Sequence, residues 1–123
     1  MVRSLVGRLL TDERLKQYAQ NWKFDARMMT AAGVNAKAPD GDPMVAGYLL
    51  DPVARNLKLD DLARIRLGHE MMPYATVAGD LPHFGYVDLD KACTYAAEDA
   101  DATLRLALQM EPQVRAQGLG QLY

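Results

Sequence analysis

Two pairs of residues in this 123-residue chain combine an acid with a hydrogen-bonding partner at one-turn helical spacing. They are Asn21 with Asp25 and Tyr95 with Asp99. Residues four apart share a helix face, so each pair would point the same way from its helix. In the segment Tyr95-Ala-Ala-Glu-Asp99-Ala-Asp101, the helical period turns Glu98 and Asp101 elsewhere. Carboxylates on such faces could hold hard divalent cations, which prefer oxygen ligands. A phenol beside them could orient a water. Each pair also has a bland explanation. Acids early in a helix are favoured by its dipole, and an asparagine before a helix reads as an ordinary N-cap.

The elements that must carry these pairs follow from periodicity and punctuation. Val2, Leu5, Val6, Leu9 and Leu10 predict a short amphipathic helix. Leu15 to Ala19 reads as a short buried strand, and Val34 to Ala38 as a second. Trp22 to Ala32 predicts a helix with Phe24, Met28, Ala31 and Ala32 on one side, closed by Gly33. Asp42-Pro43 is a helix start, with Asp as N-cap and Pro at the first position. That helix must stop before Pro52. Leu59, Leu62, Ala63 and Leu67 predict another, ended by Gly68. From His69 to Tyr86, prolines and glycines predict loop with one helical turn. Asp88 caps a long helix to about Gln113, with Cys93, Ala96, Ala97, Ala100, Leu104, Ala107 and Leu108 as its core stripe. Gly118 and Gly120 mark residues 114–123 as a loose tail.

Length and composition set bounds. One small domain with one core is expected, mostly helical with at most two short strands. The net charge of −2 provides no basic glove for nucleic acid. An acidic metal-dependent nuclease site remains compatible with it. The single cysteine, Cys93, excludes a disulfide within the chain and fits a reducing cytoplasm. Its place on the apolar stripe predicts a buried thiol. No run approaches the ~20 apolar residues of a membrane span. His69 and His83 lack metal-ligand spacing, and the seven methionines read as packing residues.

The pattern Asn-x-x-(aromatic)-Asp followed some seventy residues later by Tyr-x-x-x-Asp resembles the second and third motifs of the DEDD nucleases. Tyr95-Ala-Ala-Glu-Asp-Ala-Asp-Ala-Thr-Leu104 is similar, nearly letter for letter, to the third motif of the 3′–5′ exonuclease (proofreading) domain of the bacterial DNA polymerase I family. Ala19-Gln-Asn-Trp-Lys-Phe-Asp25 resembles its second motif. Asp42-Pro-Met-Val-Ala-Gly-Tyr-Leu-Leu50, Leu59-Asp-Asp-Leu-Ala63 and Leu67-Gly-His69 run in the same order, so the resemblance covers essentially the whole chain.

The resemblance implies the C-terminal portion of an α/β, ribonuclease H-like fold. It implies hydrolysis of 3′-terminal phosphodiesters of single-stranded DNA, with two Mg²⁺ or Mn²⁺ ions about 4 Å apart. Asp99 would ligate one ion and Asp25 the other, while Tyr95 would orient the attacking water. Asn21 and Phe24 would line the single-strand channel, and Phe84 would meet the terminal bases. The family's basic residue falls near Asn56, where Arg55 or Lys58 would substitute. The family's first motif, Asp-x-Glu on an early strand, has no counterpart: Asp12-Glu13 is adjacent, and Asp40-x-Asp42 lacks the Glu. The implied partners are a single-stranded 3′ end and an upstream segment carrying the absent strands, or a polymerase domain, with no membrane. Two other readings stay open. One is a non-catalytic remnant or scaffold that binds a partner or single strands; the other is an RNA exonuclease similar to ribonuclease D.

Overall fold

A computed structural model describes residues 1–123. The chain forms six helices: α1 (Val2–Thr11), α2 (Trp22–Ala31), α3 (Pro43–Leu50), α4 (Leu59–Leu62), α5 (Tyr74–Ala78) and α6 (Leu89–Ala116). A π-helical turn, Ala63–Leu67, continues α4, and a 3₁₀ turn covers Phe84–Tyr86.

The core lies where α6 meets α3 and α4. Leu106, Met110 and Val114 of α6 are fully buried against Ala46 of α3 and Leu62 of α4. A smaller cluster joins Ala63, Met71 and Ala102. The π turn is tied to α6 by polar bonds: Gln109 Nε2 donates to the Arg66 carbonyl at 2.9 Å, and Arg66 Nη1 to Gln113 Oε1 at 3.0 Å. Gly68 ends this segment with φ +63°, a left-handed conformation that suits glycine.

Several expectations hold. The Asp42 side chain caps α3 by accepting from Met44 N at 2.9 Å, with Pro43 at the first position. Gly33 takes φ +83° after α2. Asp88 caps α6 through Lys91 N.

Others need correction. The two strands reduce to one parallel bridge, Tyr18 with Gly41. Ala19 N donates to the Gly41 carbonyl at 3.1 Å, and Asp40 N to the Gln17 carbonyl at 2.7 Å. The partner is Gly41 and not the 34–38 stretch, because Val34 N is taken by Met29 O in the C-terminal turn of α2, and Lys37 N by Leu10 O. A strand pair this short has no further strand beside it to extend the ladder.

The stripe of α6 is rotated from its expected place. Its buried residues are Ala102, Thr103, Leu106, Ala107, Met110 and Val114, so only Ala107 is shared with the predicted set. Cys93 is exposed, not buried. Ala96, Ala97 and Ala100 are exposed, and Leu108 is 56 % exposed. Thus α6 has two apolar faces, and this chain covers one. Helices α1 and α2 bury no residue; Leu5 and Leu9 are each more than half exposed. Nor is the C-terminus loose. α6 extends to Ala116, Leu119 packs on the core, and the Tyr123 hydroxyl accepts from Asp42 N at 2.8 Å. Met71 and Met110 are packing residues as expected, but Met28 is exposed on α2.

Candidate active site

Asp42 stands behind one wall of the cleft, bonded to Asn21 and Met44, which line it. Its carboxylate is buried between the N-termini of α2 and α3. Oδ1 accepts from Asn21 N at 3.0 Å as well as from Met44 N, and Oδ2 accepts from Trp22 N at 2.9 Å. Asn21 therefore does not act as the side-chain N-cap its position suggested; it makes no capping bond. Its backbone is left-handed, φ +56° and ψ +51°, and it is the one non-glycine residue with positive φ. Asparagine tolerates that conformation better than most residues. One turn later Asp25 stands in the first turn of α2.

From the other side α6 brings Tyr95 and Asp99. Together with Asn21 and Asp25 they line one cleft of about 500 Å³. Gln20, Lys58 and Asp60 share its walls. Gln20 is held by its Nε2, which donates to the Leu57 carbonyl at 2.8 Å. The side-chain oxygens of Gln20 and Asn21 are buried without a protein partner. Buried acceptors of this kind are uncommon and call for a partner such as a water or an ion.

The electrostatics of the cleft disfavour negative charge. Burial pushes the Asp99 carboxyl above the usual carboxylate range, and the neighbouring Asp60 and Glu98 add to the effect. Burial also raises Asp25, with a contribution from Asp42. The Tyr95 hydroxyl is raised by burial first and then by Asp99 and Asp60, so it stays protonated and a donor at neutral pH. A group of acids held against its own repulsion is a place where a cation is favoured.

An aromatic wall borders Tyr95. The Tyr74 ring meets it edge-on at 6.0 Å, the Phe84 ring lies 5.8 Å away, and Tyr74 stacks on Phe84 at 6.1 Å. Glu98 holds the preceding loop in place: Oε1 accepts from Met72 N at 2.6 Å, and Oε2 pairs with His69 Nε2 at 3.3 Å. His83 instead accepts from Gly85 N through Nδ1.

Of the residues singled out by sequence, Asn21, Asp25, Tyr95, Asp99 and Lys58 converge on the cleft. Phe84 reaches it through Tyr95. Phe24 does not line it; it is exposed on a separate shallow groove with Lys23, Arg27 and Met28. Arg55 is exposed and lies outside the lining, so Lys58 is the cation of the cleft. Sequence reasoning passed over Gln20, Asp60 and Tyr74. Gln20 adjoins Asn21, and Asp60 entered only within the segment Leu59-Asp-Asp-Leu-Ala63; it stands in the first turn of α4. Tyr74 sat in a stretch read as loop.

Do these residues suit a divalent cation? The donors are all hard oxygens, the right kind for Mg²⁺ or Mn²⁺. The number falls short: no three carboxylate, histidine or cysteine side chains come together as a metal-holding group. Asp25 and Asp99 fit as part of a ligand set and not as a metal centre complete in itself.

Comparison with known proteins shows the family of the chain. The 3′–5′ exonuclease family matches residues 2–115. The chain is 41 % identical over 118 residues to a DNA polymerase I of Rhizobium leguminosarum, covering 94 % of this chain and 12 % of the relative. It is 36 % identical over 97 residues to that of Borreliella burgdorferi, covering 79 % of this chain and 11 % of the relative. For that of Treponema pallidum the identity is 35 % over 114 residues, covering 91 % and 11 %. The chain thus spans 11 to 12 % of the length of these relatives, and along nearly all of its own length it belongs to the 3′–5′ exonuclease family.

Proposed function

We propose that the cleft binds the 3′ end of a DNA single strand and forms part of the site that hydrolyses its terminal phosphodiester. The observation that carries this reading is the meeting of Asn21/Asp25 with Tyr95/Asp99 on one cleft, although 74 residues separate the two aspartates. Tyr95, protonated, donates toward an attacking water and sets its direction. Tyr74 and Phe84 offer ring faces to terminal bases, each stack contributing ~1–3 kcal/mol. Lys58 faces the backbone phosphates. Asp25 and Asp99 would each hold a Mg²⁺ or Mn²⁺ ion, which supplies charge neutralisation at the phosphate and an acidified water.

Completion of the site by a further segment is part of the proposal. The uncovered side of α6, with Ala96, Ala97, Ala100, Leu104 and Leu108, adjoins the cleft through Ala100. Helices α1 and α2 also present uncovered apolar residues. A segment of strands bearing Asp-x-Glu, seated on these faces, would cover them and add the absent carboxylates. The same uncovered faces favour a second reading, a scaffold that packs on a partner without catalysis.

The test mixes the chain with such a segment, Mg²⁺ or Mn²⁺, and 3′-labelled single strands of DNA or RNA. Release of terminal nucleotides from DNA is expected. Asp99→Ala abolishes it, and Tyr95→Phe slows it, because only Asp99 would hold a metal. Inactivity that Asp25→Ala and Asp99→Ala leave unchanged rejects catalysis and favours the scaffold. A preference for RNA would redirect the substrate assignment.

A further inference from the structure

We infer that Asp42, outside the two sequence motifs, is the positioning residue that sets Asn21 and Asp25 on the wall of the cleft; this rests on the functional reading above. Its capping of α3 would need one oxygen and one bond. The structure shows three bonds on two oxygens, and two of them belong to α2, some twenty residues earlier in the chain. One carboxylate therefore holds two helix N-termini in a fixed relation. Both helix dipoles favour a negative charge there. The arrangement is closed from behind: Asp42 N donates to the Tyr123 hydroxyl, and that hydroxyl sits over Gly41, where any Cβ would lie 2.7 Å from it.

The consequence concerns α2 in particular. Helix α2 buries none of its own residues, so packing does little to place it. The amides at its start, Asn21 N just before it and Trp22 N at its first position, are anchored to Asp42. Asn21 keeps a left-handed backbone without a side-chain bond of its own. Asp25, one turn on, inherits its position from this anchor. Asp99 does not, because α6 is fixed by the core.

The experiment compares the full chain with Asp42→Asn and Tyr123→Phe by amide hydrogen exchange. It also follows broadening of the Asp25 and Asp99 carboxyl signals by Mn²⁺ alone. An asparagine retains one acceptor oxygen for Asn21 and Met44 but opposes Trp22 N with an amide. Exchange at Trp22 and through the first turn of α2 is expected to quicken about tenfold to a hundredfold, the factor carried by a lost bond to a charged acceptor. Exchange at Leu106 and Met110 is expected to hold. Mn²⁺ broadening should fall at Asp25 and persist at Asp99. If Asp42→Asn does not fold, Tyr123→Phe must give the same pattern on a smaller scale. Unchanged exchange in α2 overturns the inference, as does equal loosening of every helix, which would mark a merely structural role. If wild type shows no Mn²⁺ response, this incomplete ligand set does not hold the ion by itself, the functional reading is left to the assay with the completing segment, and the exchange pattern alone decides the role of Asp42.

Discussion

Glu98 sits beside Asp99 in the chain, yet its work is on the opposite loop, and truncating it is a sharp test of how the aromatic wall is held. Glu98→Ala removes the acceptor of Met72 N and the partner of His69. A hydrogen bond to a charged acceptor contributes about 1.5–3 kcal/mol, and the lower half applies because the Glu98 side chain is 23 % exposed. The His69 pair, with the imidazole 39 % exposed, adds less than about 1 kcal/mol. A loss of about 2 kcal/mol follows. With an unfolding entropy of about 2.1 cal/mol/K per residue over the 123 residues, Tm falls by about 8 °C. Glu98→Gln keeps a neutral acceptor for Met72 N and should lose about 1 kcal/mol, or about 4 °C. Circular dichroism melts of the three proteins measure this. Freed of its tether, Tyr74 no longer holds its edge against Tyr95, so a fluorescent 3′-tailed single strand should bind more weakly to the alanine variant than to the glutamine variant. Equal damage from both substitutions would refute the tether, and so would an alanine variant that melts within about 2 °C of wild type.

Asp99→Asn is expected to stabilise the protein at neutral pH. The folded state raises the Asp99 carboxyl above its ordinary value of 3.8, so the stability available with the protonated group is present below that value and lost as pH rises through the raised one. The advantage of Asp99→Asn in urea unfolding should therefore be clear at pH 7.5 and vanish near pH 3.8; an advantage that grows in acid would contradict the sign. Asp12 and Asp40 titrate in the opposite sense, but they are common to both proteins and cancel in the comparison. Asp60→Asn should bring both the Asp99 carboxyl and the Tyr95 hydroxyl closer to their ordinary titration, followed by carbon-13 NMR, because Asp60 contributes to raising each. Unmoved titrations would place Asp60 too far away to matter. Gly41→Ala would set a methyl group 2.7 Å from the Tyr123 hydroxyl and 3.0 Å from the Tyr18 ring. Displacing Tyr123 should cost about 1–3 kcal/mol in urea unfolding; a neutral effect would mean that the C-terminal tyrosine is not seated there.

Local chemistry made much of this protein readable in advance. Asp42-Pro43 announces the start of α3, since proline fixes φ and aspartate supplies an oxygen for the cap. Gly33 and Gly68 mark ends because both adopt positive φ. The one-turn spacing placed Tyr95 and Asp99 together on α6, whereas Asp25 lies in α2 and Asn21 just ahead of it in a left-handed conformation. These are properties of neighbours in the chain. What the residues could not disclose by themselves was which surface meets which. The apolar stripe read on α6 is real, but the core of this chain takes the adjacent face through Leu106, Met110 and Val114, because that face meets α3 and α4. Asp42 looked like a cap for one helix and serves two, since its second partner lies twenty residues away in sequence and only folding brings it near. Asp60 and Tyr74 joined the site for the same reason: no periodicity links them to Asp99 and Tyr95, and the packing of α4 and α5 on α6 does. Spacing along a helix is set by covalent geometry and is legible from the chain. The convergence of α2, α3, α4 and α6 on one cleft, with α5 set against Tyr95 at its border, depends on non-local burial, and that belongs to the tertiary structure alone.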